Sequence, residues 1–135
     1  MKKLFSIKYS DNGITFATLL LRLAVGGLVI PHGYSKLISF ASKSSSFSDP
    51  FHIGSPTSMA LVIFAEFFCG VFVFLGLFTR LACIPLIISM SVAVFYANKG
   101  NFFGAGETAT LFLLGYLALL FTGPGKVSMD KLIGK

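Results

Sequence analysis

Four long apolar runs, each broken by only a few polar residues, constrain this 135-residue chain more than any other feature. The first extends over residues 14–40 and is interrupted by Arg22, His32 and Lys36. The second, over 57–78, contains Glu66; the third, over 80–98, carries no charge after Arg80; the fourth, over 102–122, has Glu107 near its start. An α-helix rises about 1.5 Å per residue, so roughly 20 residues cross a hydrocarbon core about 30 Å thick. Each run is therefore expected to be a transmembrane helix, the third at the short end. Only 12% of the residues are charged, against about a quarter in soluble domains, too few to cover a globule in water. The predicted fold is an all-α, integral membrane four-helix bundle, a single domain over residues 1–135.

Local signals fit these boundaries. Asp11-Asn12-Gly13 marks a helix start before the first run. Ser55 is expected to cap the second helix, with Pro56 at its first position. Only Thr79 separates the second and third runs, which requires a tight antiparallel hairpin, and Gly123-Pro124-Gly125 stops the fourth. The Ser-rich segment 42–55 is the one long loop. Lys2 and Lys3 before an apolar stretch resemble a secretory signal, but Arg22 interrupts that stretch and no small-x-small cleavage site follows, so the N-terminus is expected to be retained.

The net charge of +6 comes from basic residues lying mostly outside the runs. Lys2, Lys3, Lys8, Arg80, Lys126, Lys131 and Lys135 fall on one side of the predicted bilayer; Lys43 and Lys99 fall on the other, with Lys36 near its edge. The positive-inside rule then places both termini in the cytoplasm. The basic surplus reads as a topology signal and a contact with anionic headgroups, and nucleic-acid binding is excluded as a function class.

Charges within the runs need a reason, because each costs roughly 2.5–3.5 kcal/mol on insertion scales. Counting along the helices puts Arg22 ~12 Å from the inner end and Glu66 ~13 Å from the outer end, within ~5 Å in height. The two are expected to pair, either to fix helix register or as a proton or ligand site. His32 follows Pro31, which is expected to kink the first helix. Glu107 lies about one turn inside the fourth. His32, Glu66 and Glu107 therefore share the outer half of the bundle, where they could accept protons or bind a ligand. Taken singly, His32 reads as a hydrogen-bonded interfacial residue and Glu107 as a carboxylate favoured by a helix N-terminus. Lys36 and Tyr34 are supporting candidates, and no residue is assigned a catalytic role.

Cys69 and Cys83 are expected ~8 Å apart in depth, beyond disulfide reach, and read as packing residues. His52 lies in the outer loop, so a bis-histidine haem lacks its second intramembrane ligand, and no metal-ligand spacing, phosphate-binding loop or nucleophile elbow occurs. No cofactor is evident from the residues alone. Gly26, Gly27, Gly33, Gly70 and Gly115 are among the small residues expected to let helices approach closely.

Four segments together resemble the DoxX family: Arg22-Leu-Ala-Val-Gly-Gly with His32-Gly-Tyr-Ser-Lys-Leu37; Ala65-Glu66-Phe-Phe-Cys-Gly70 with Leu75-Gly-Leu-Phe-Thr-Arg80; Gly106-Glu107; and Gly123-Pro-Gly-Lys-Val-Ser-Met-Asp130. Cys69 departs from the small residue often found there. The resemblance implies a four-helix protein of the bacterial cytoplasmic (inner) membrane. DoxD relatives resemble the membrane subunit of a thiosulfate:quinone oxidoreductase, so the implied role is a redox-associated, quinone-linked membrane subunit, at most one part of an oxidoreductase complex. Its implied partners are the lipid bilayer and redox proteins in the membrane, periplasm or cytoplasm, with a homo-oligomer left open. The alternative is a non-catalytic scaffold or small-solute carrier.

Overall fold

A computed structural model describes residues 2–134, and among these all regular structure is helical. Four helices build the bundle: α1 (Asp11–Ile38), α2 (Ser55–Leu75), α3 (Thr79–Ala97) and α4 (Glu107–Thr122). The first three, of 28, 21 and 19 residues, are long and apolar enough to cross a membrane; α4 has 16 residues. A one-turn helix, α5 (Met129–Leu132), lies in the C-terminal tail. Of the residues used above to orient the chain, the side chains of Lys2 and Lys3 and all of Lys135 lie outside the description.

The helix ends refine the sequence reading. α1 starts at Asp11 because Ser10 caps it, its side chain accepting from the Gly13 N–H at 2.9 Å, and it continues through Pro31 as one helix. The cap of α2 is Gly54 at φ 103°, with Ser55 already helical. Asp49 holds that turn by accepting from the Ile53 and Gly54 N–H groups at 3.0 and 2.8 Å. The loop before it contains a helical turn, Phe40–Lys43, and a 3-10 turn, Ser44–Ser46.

The fourth helix starts five residues later than its apolar run. Turns fill that stretch, with Gly106 N–H donating to Asn101 O at 2.9 Å and Glu107 N–H to Gly104 O at 3.1 Å. Gly104 and Gly106 explain the delay, since each glycine costs a helix about 1 kcal/mol relative to alanine.

The α2–α3 hairpin is tight, as the spacing predicts. Gly76 takes φ 74° and Phe78 φ 50°, and the Leu77 N–H donates back to Phe72 O at 2.8 Å, a Schellman-type stop. The tail then closes over this turn. Asp130 Oδ1 accepts from the Phe78 N–H at 2.8 Å and Oδ2 from the Thr79 N–H at 3.1 Å, while the Asp130 N–H donates to Gly76 O at 2.9 Å. An aspartate 51 residues beyond Thr79 in sequence thus caps the start of α3.

Val25, Val29, Cys69, Val73, Leu86, Tyr116 and Leu119 form the buried centre. Tyr116 donates its hydroxyl to Val25 O at 2.7 Å, joining α4 to α1. Glycine sets the α1–α2 distance. A Cβ on Gly26 would lie 2.6 Å from Phe74 N, and one on Gly33 would lie 2.5 Å from Phe67 N, both backbone atoms. A Cβ on Gly27 would meet only the movable Phe74 ring, at 3.2 Å. Gly33→Ala should therefore destabilise the bundle by about 1–3 kcal/mol, whereas Gly27→Ala should be near neutral. Thermal unfolding in one detergent checks this: both variants share the helix-propensity gain, so equal melting temperatures would disprove the backbone-contact assignment.

Candidate functional site

Near the end of the bundle that carries the Ser-rich loop, three helices bring polar side chains together. His32 and Lys36 are one turn apart on α1, four residues being the spacing that aligns side chains on one face. Glu66 projects from α2 within a π-helical stretch, Phe64–Cys69. Such wide turns are rare and concentrate at functional positions. Ser89 comes from α3, whose last turns, Ala93–Ala97, are also π-helical.

The geometry joins these groups around one carboxylate. Lys36 Nζ lies 2.7 Å from Glu66 Oε1, and Ser89 Oγ donates to Glu66 Oε2 at 3.3 Å. Both carboxylate oxygens are therefore engaged. Glu66 is buried, whereas the Lys36 side chain is 30% exposed with its ammonium turned in to the carboxylate. The pair borders a cavity of about 200 Å³ lined by His32, Lys36, Glu66, Met90, Thr108 and Phe112, among others. The His32 ring meets Phe112 edge-on with centroids 5.9 Å apart. The cavity thus offers an ammonium donor, a carboxylate acceptor, an imidazole and an aromatic wall, a set suited to a small, flat molecule with polar oxygens.

The other expected candidates are placed differently. Glu107 is exposed in the first turn of α4, beside the cavity-lining Thr108. Tyr34 is exposed on α1, its ring 6.2 Å from Phe67.

Arg22 does not pair with Glu66. It lies towards the opposite end, donating from Nη1 to Pro124 O at 2.8 Å and Val127 O at 2.7 Å, and from Nε to Phe74 O at 3.4 Å. The contact of Gly33 with Glu66 sets the level of the carboxylate on α1, and Arg22 is three turns below it, ~16 Å along the axis. The depth count misjudged this because it took the apolar runs as whole spans and assumed that a carboxylate must neutralise the guanidinium. Backbone carbonyls of the returning tail do so instead.

Two residues escaped the sequence reading. Ser89 was detectable as a hydroxyl within the third apolar run, although nothing local pointed it at Glu66. Asp130 stands in the quoted Gly123–Asp130 segment, but its role depends on the tail folding back. Cys69 and Cys83 are both free and buried in the core. Among the described residues no group of His, Cys, Asp and Glu could hold a metal ion.

The DoxX family model matches residues 17–99, which include His32, Lys36, Glu66 and Ser89. A curated protein of Bacillus subtilis, CatD, provisionally named an oxidoreductase, is 34% identical over 93% of this chain and 92% of its own length. An uncharacterized protein of Haemophilus influenzae is 32% identical over 82% of this chain and 85% of its own. An uncharacterized membrane protein of Mycobacterium tuberculosis is 37% identical over 52% of each. No solved structure matches the chain.

The Lys36–Glu66 pair yields a double-mutant test. Lys36→Met or Glu66→Leu alone should lower the yield of folded protein, because each strands a charge in a low-dielectric site. The loss should be smaller than the roughly 3–5 kcal/mol typical of a fully buried pair, since Lys36 is partly exposed. The double variant should recover part of it. Size-exclusion chromatography in detergent measures the folded fraction, and additive losses would show that the two side chains are not coupled.

Proposed function

The chain belongs to the DoxX family, and on that premise we propose that this membrane protein is the quinone-binding membrane subunit of a redox complex. The observation that carries the reading is the Lys36–Glu66–Ser89 network beside a cavity that His32 also lines. A quinone ring presents two carbonyl oxygens and a flat apolar face. Lys36 and His32 are suited to donate hydrogen bonds to an oxygen, Phe112 and Met90 to hold the ring, and Glu66 to relay protons to the bundle end. The electrons that reduce the ring would come from a partner protein. CatD's provisional name places one relative in oxidoreductase chemistry.

The same reading takes α4 as a fourth crossing and both termini as cytoplasmic, in a bacterial inner membrane. Sixteen residues of helix span ~24 Å, a shortfall that local thinning of the bilayer accommodates at modest cost. Arg80, Lys126 and Lys131 belong to the end where the tail returns, opposite Lys43 and Lys99. That asymmetry supports the orientation under the positive-inside rule.

Two measurements test these proposals. With Cys69 and Cys83 replaced by alanine, a cysteine at Ser46 should react with an impermeant thiol reagent on intact cells, and one at Lys131 should not; the reverse pattern would invert the topology. In lipid nanodiscs the purified protein should bind a short-chain ubiquinone or menaquinone, and Glu66→Gln should weaken binding about tenfold, equivalent to about 1.4 kcal/mol. Failure to bind either quinone, alone or with co-purifying partners, would reject the quinone reading and leave the scaffold or solute-carrier alternative.

A further inference from the structure

The end of the bundle remote from that cavity holds a second buried charge that the quinone reading does not use. Arg22 is only 3% exposed. Its Nε and Nη1 meet three carbonyl oxygens, and among the described residues neither a carboxylate within ion-pair distance nor an acceptor for Nη2 is present. The neighbouring carboxylate, Asp130, is committed through both oxygens to the Phe78 and Thr79 N–H groups. Arg22 therefore makes its hydrogen bonds to carbonyl dipoles alone, while the nearby Asp130 carboxylate acts on it only through space. It forms part of the wall of a cleft of about 480 Å³, which Lys126, Phe74, Leu75 and Leu132 also line. Lys126 is exposed at the mouth. Phe74, Leu75 and Leu132 are apolar and exposed, so the cleft continues onto surface that lipid tails would cover.

We propose that this cleft binds the phosphate group of an anionic phospholipid, with Arg22 as its buried cationic contact and Lys126 as its exposed one. The charge argument calls for an anion, since a buried guanidinium that hydrogen-bonds no carboxylate and leaves Nη2 free is completed by phosphate oxygens in a forked geometry. The apolar wall favours a lipid over free phosphate, because only a lipid covers Phe74, Leu75 and Leu132 while placing its headgroup at Arg22. The site also secures the tail, since the carbonyls of Pro124 and Val127 share the same guanidinium.

Native mass spectrometry of the full chain, extracted in mild detergent from vesicles of equal phosphatidylglycerol and phosphatidylcholine, tests the proposal. One phosphatidylglycerol should be retained in preference to phosphatidylcholine. Lys126→Ala should reduce that occupancy about fivefold, the loss expected for one surface cation beside an anionic headgroup, and Lys43→Ala at the other end should leave it unchanged. Lys126 is exposed, so its variant remains informative even if replacing Arg22 prevents folding. Millimolar inorganic phosphate should not displace the lipid. Equal retention of the two lipids, equal effects of the two lysine variants, or displacement by inorganic phosphate would each overturn the assignment, the last in favour of a soluble-anion site.

Discussion

Charge carried into a low-dielectric bundle must be met by other polar groups before the helices around it can close, and that requirement organises both ends of this protein. At one end Glu66 is met by the Lys36 ammonium and the Ser89 hydroxyl. At the other, Arg22 is met by three backbone carbonyls, and Asp130 by two backbone N–H groups. The two solutions differ in kind. The first draws on side chains from three helices and leaves a cavity beside them; the second uses main chain at a helix turn and a returning tail, and locks the connection. Leaving any of these groups unmet would cost several kcal/mol, comparable with the net stability of a small fold.

Close backbone contact gives the polar groups their positions. Gly33 admits α2 so near that the Glu66–Phe67 peptide abuts α1, and Gly26 does the same at Phe74. The contacts are spaced along one face of α1, so the side chains between them are fixed in level as well as direction. The π-helical stretch at Phe64–Cys69 then alters the register of α2 where Glu66 must turn inward. A cavity and an ion pair at its wall follow from two features that contain no charge: absent Cβ atoms and one widened helical turn.

Much of this architecture was legible in the sequence, for definite physical reasons. A run of apolar residues long enough to cross a bilayer admits few structures other than a helix, and α1, α2 and α3 lie within three residues of the predicted runs. The fourth run was misjudged at its start because hydropathy does not register the preference of Gly104 and Gly106 for turns. Of the polar residues that sequence reasoning singled out for the outer half, His32, Glu66 and the supporting Lys36 line one cavity, whereas Glu107 and Tyr34 do not. The same reasoning joined Arg22 to the wrong partner, because side-chain charge is visible in a sequence whereas a carbonyl brought back by a folded tail is not. Asp130 was missed for the same reason: its ligands are two N–H groups exposed only once the hairpin turn exists.

The Arg22 knot also has a temporal side. Two of its three carbonyl partners belong to residues 102 and 105 positions later in the chain, and Asp130 reaches back to the hairpin at Phe78 across 52 positions. Throughout synthesis, then, the first helix enters the membrane with an arginine whose final partners have not yet been made. This end of the bundle cannot close until residues 124–130 have been made, and a chain cut short before residue 124 would leave the Arg22 Nη1 without the two carbonyls it meets. The segment after α4 thus completes the first helix: the polar needs of a residue made early are met by carbonyls made more than a hundred residues later.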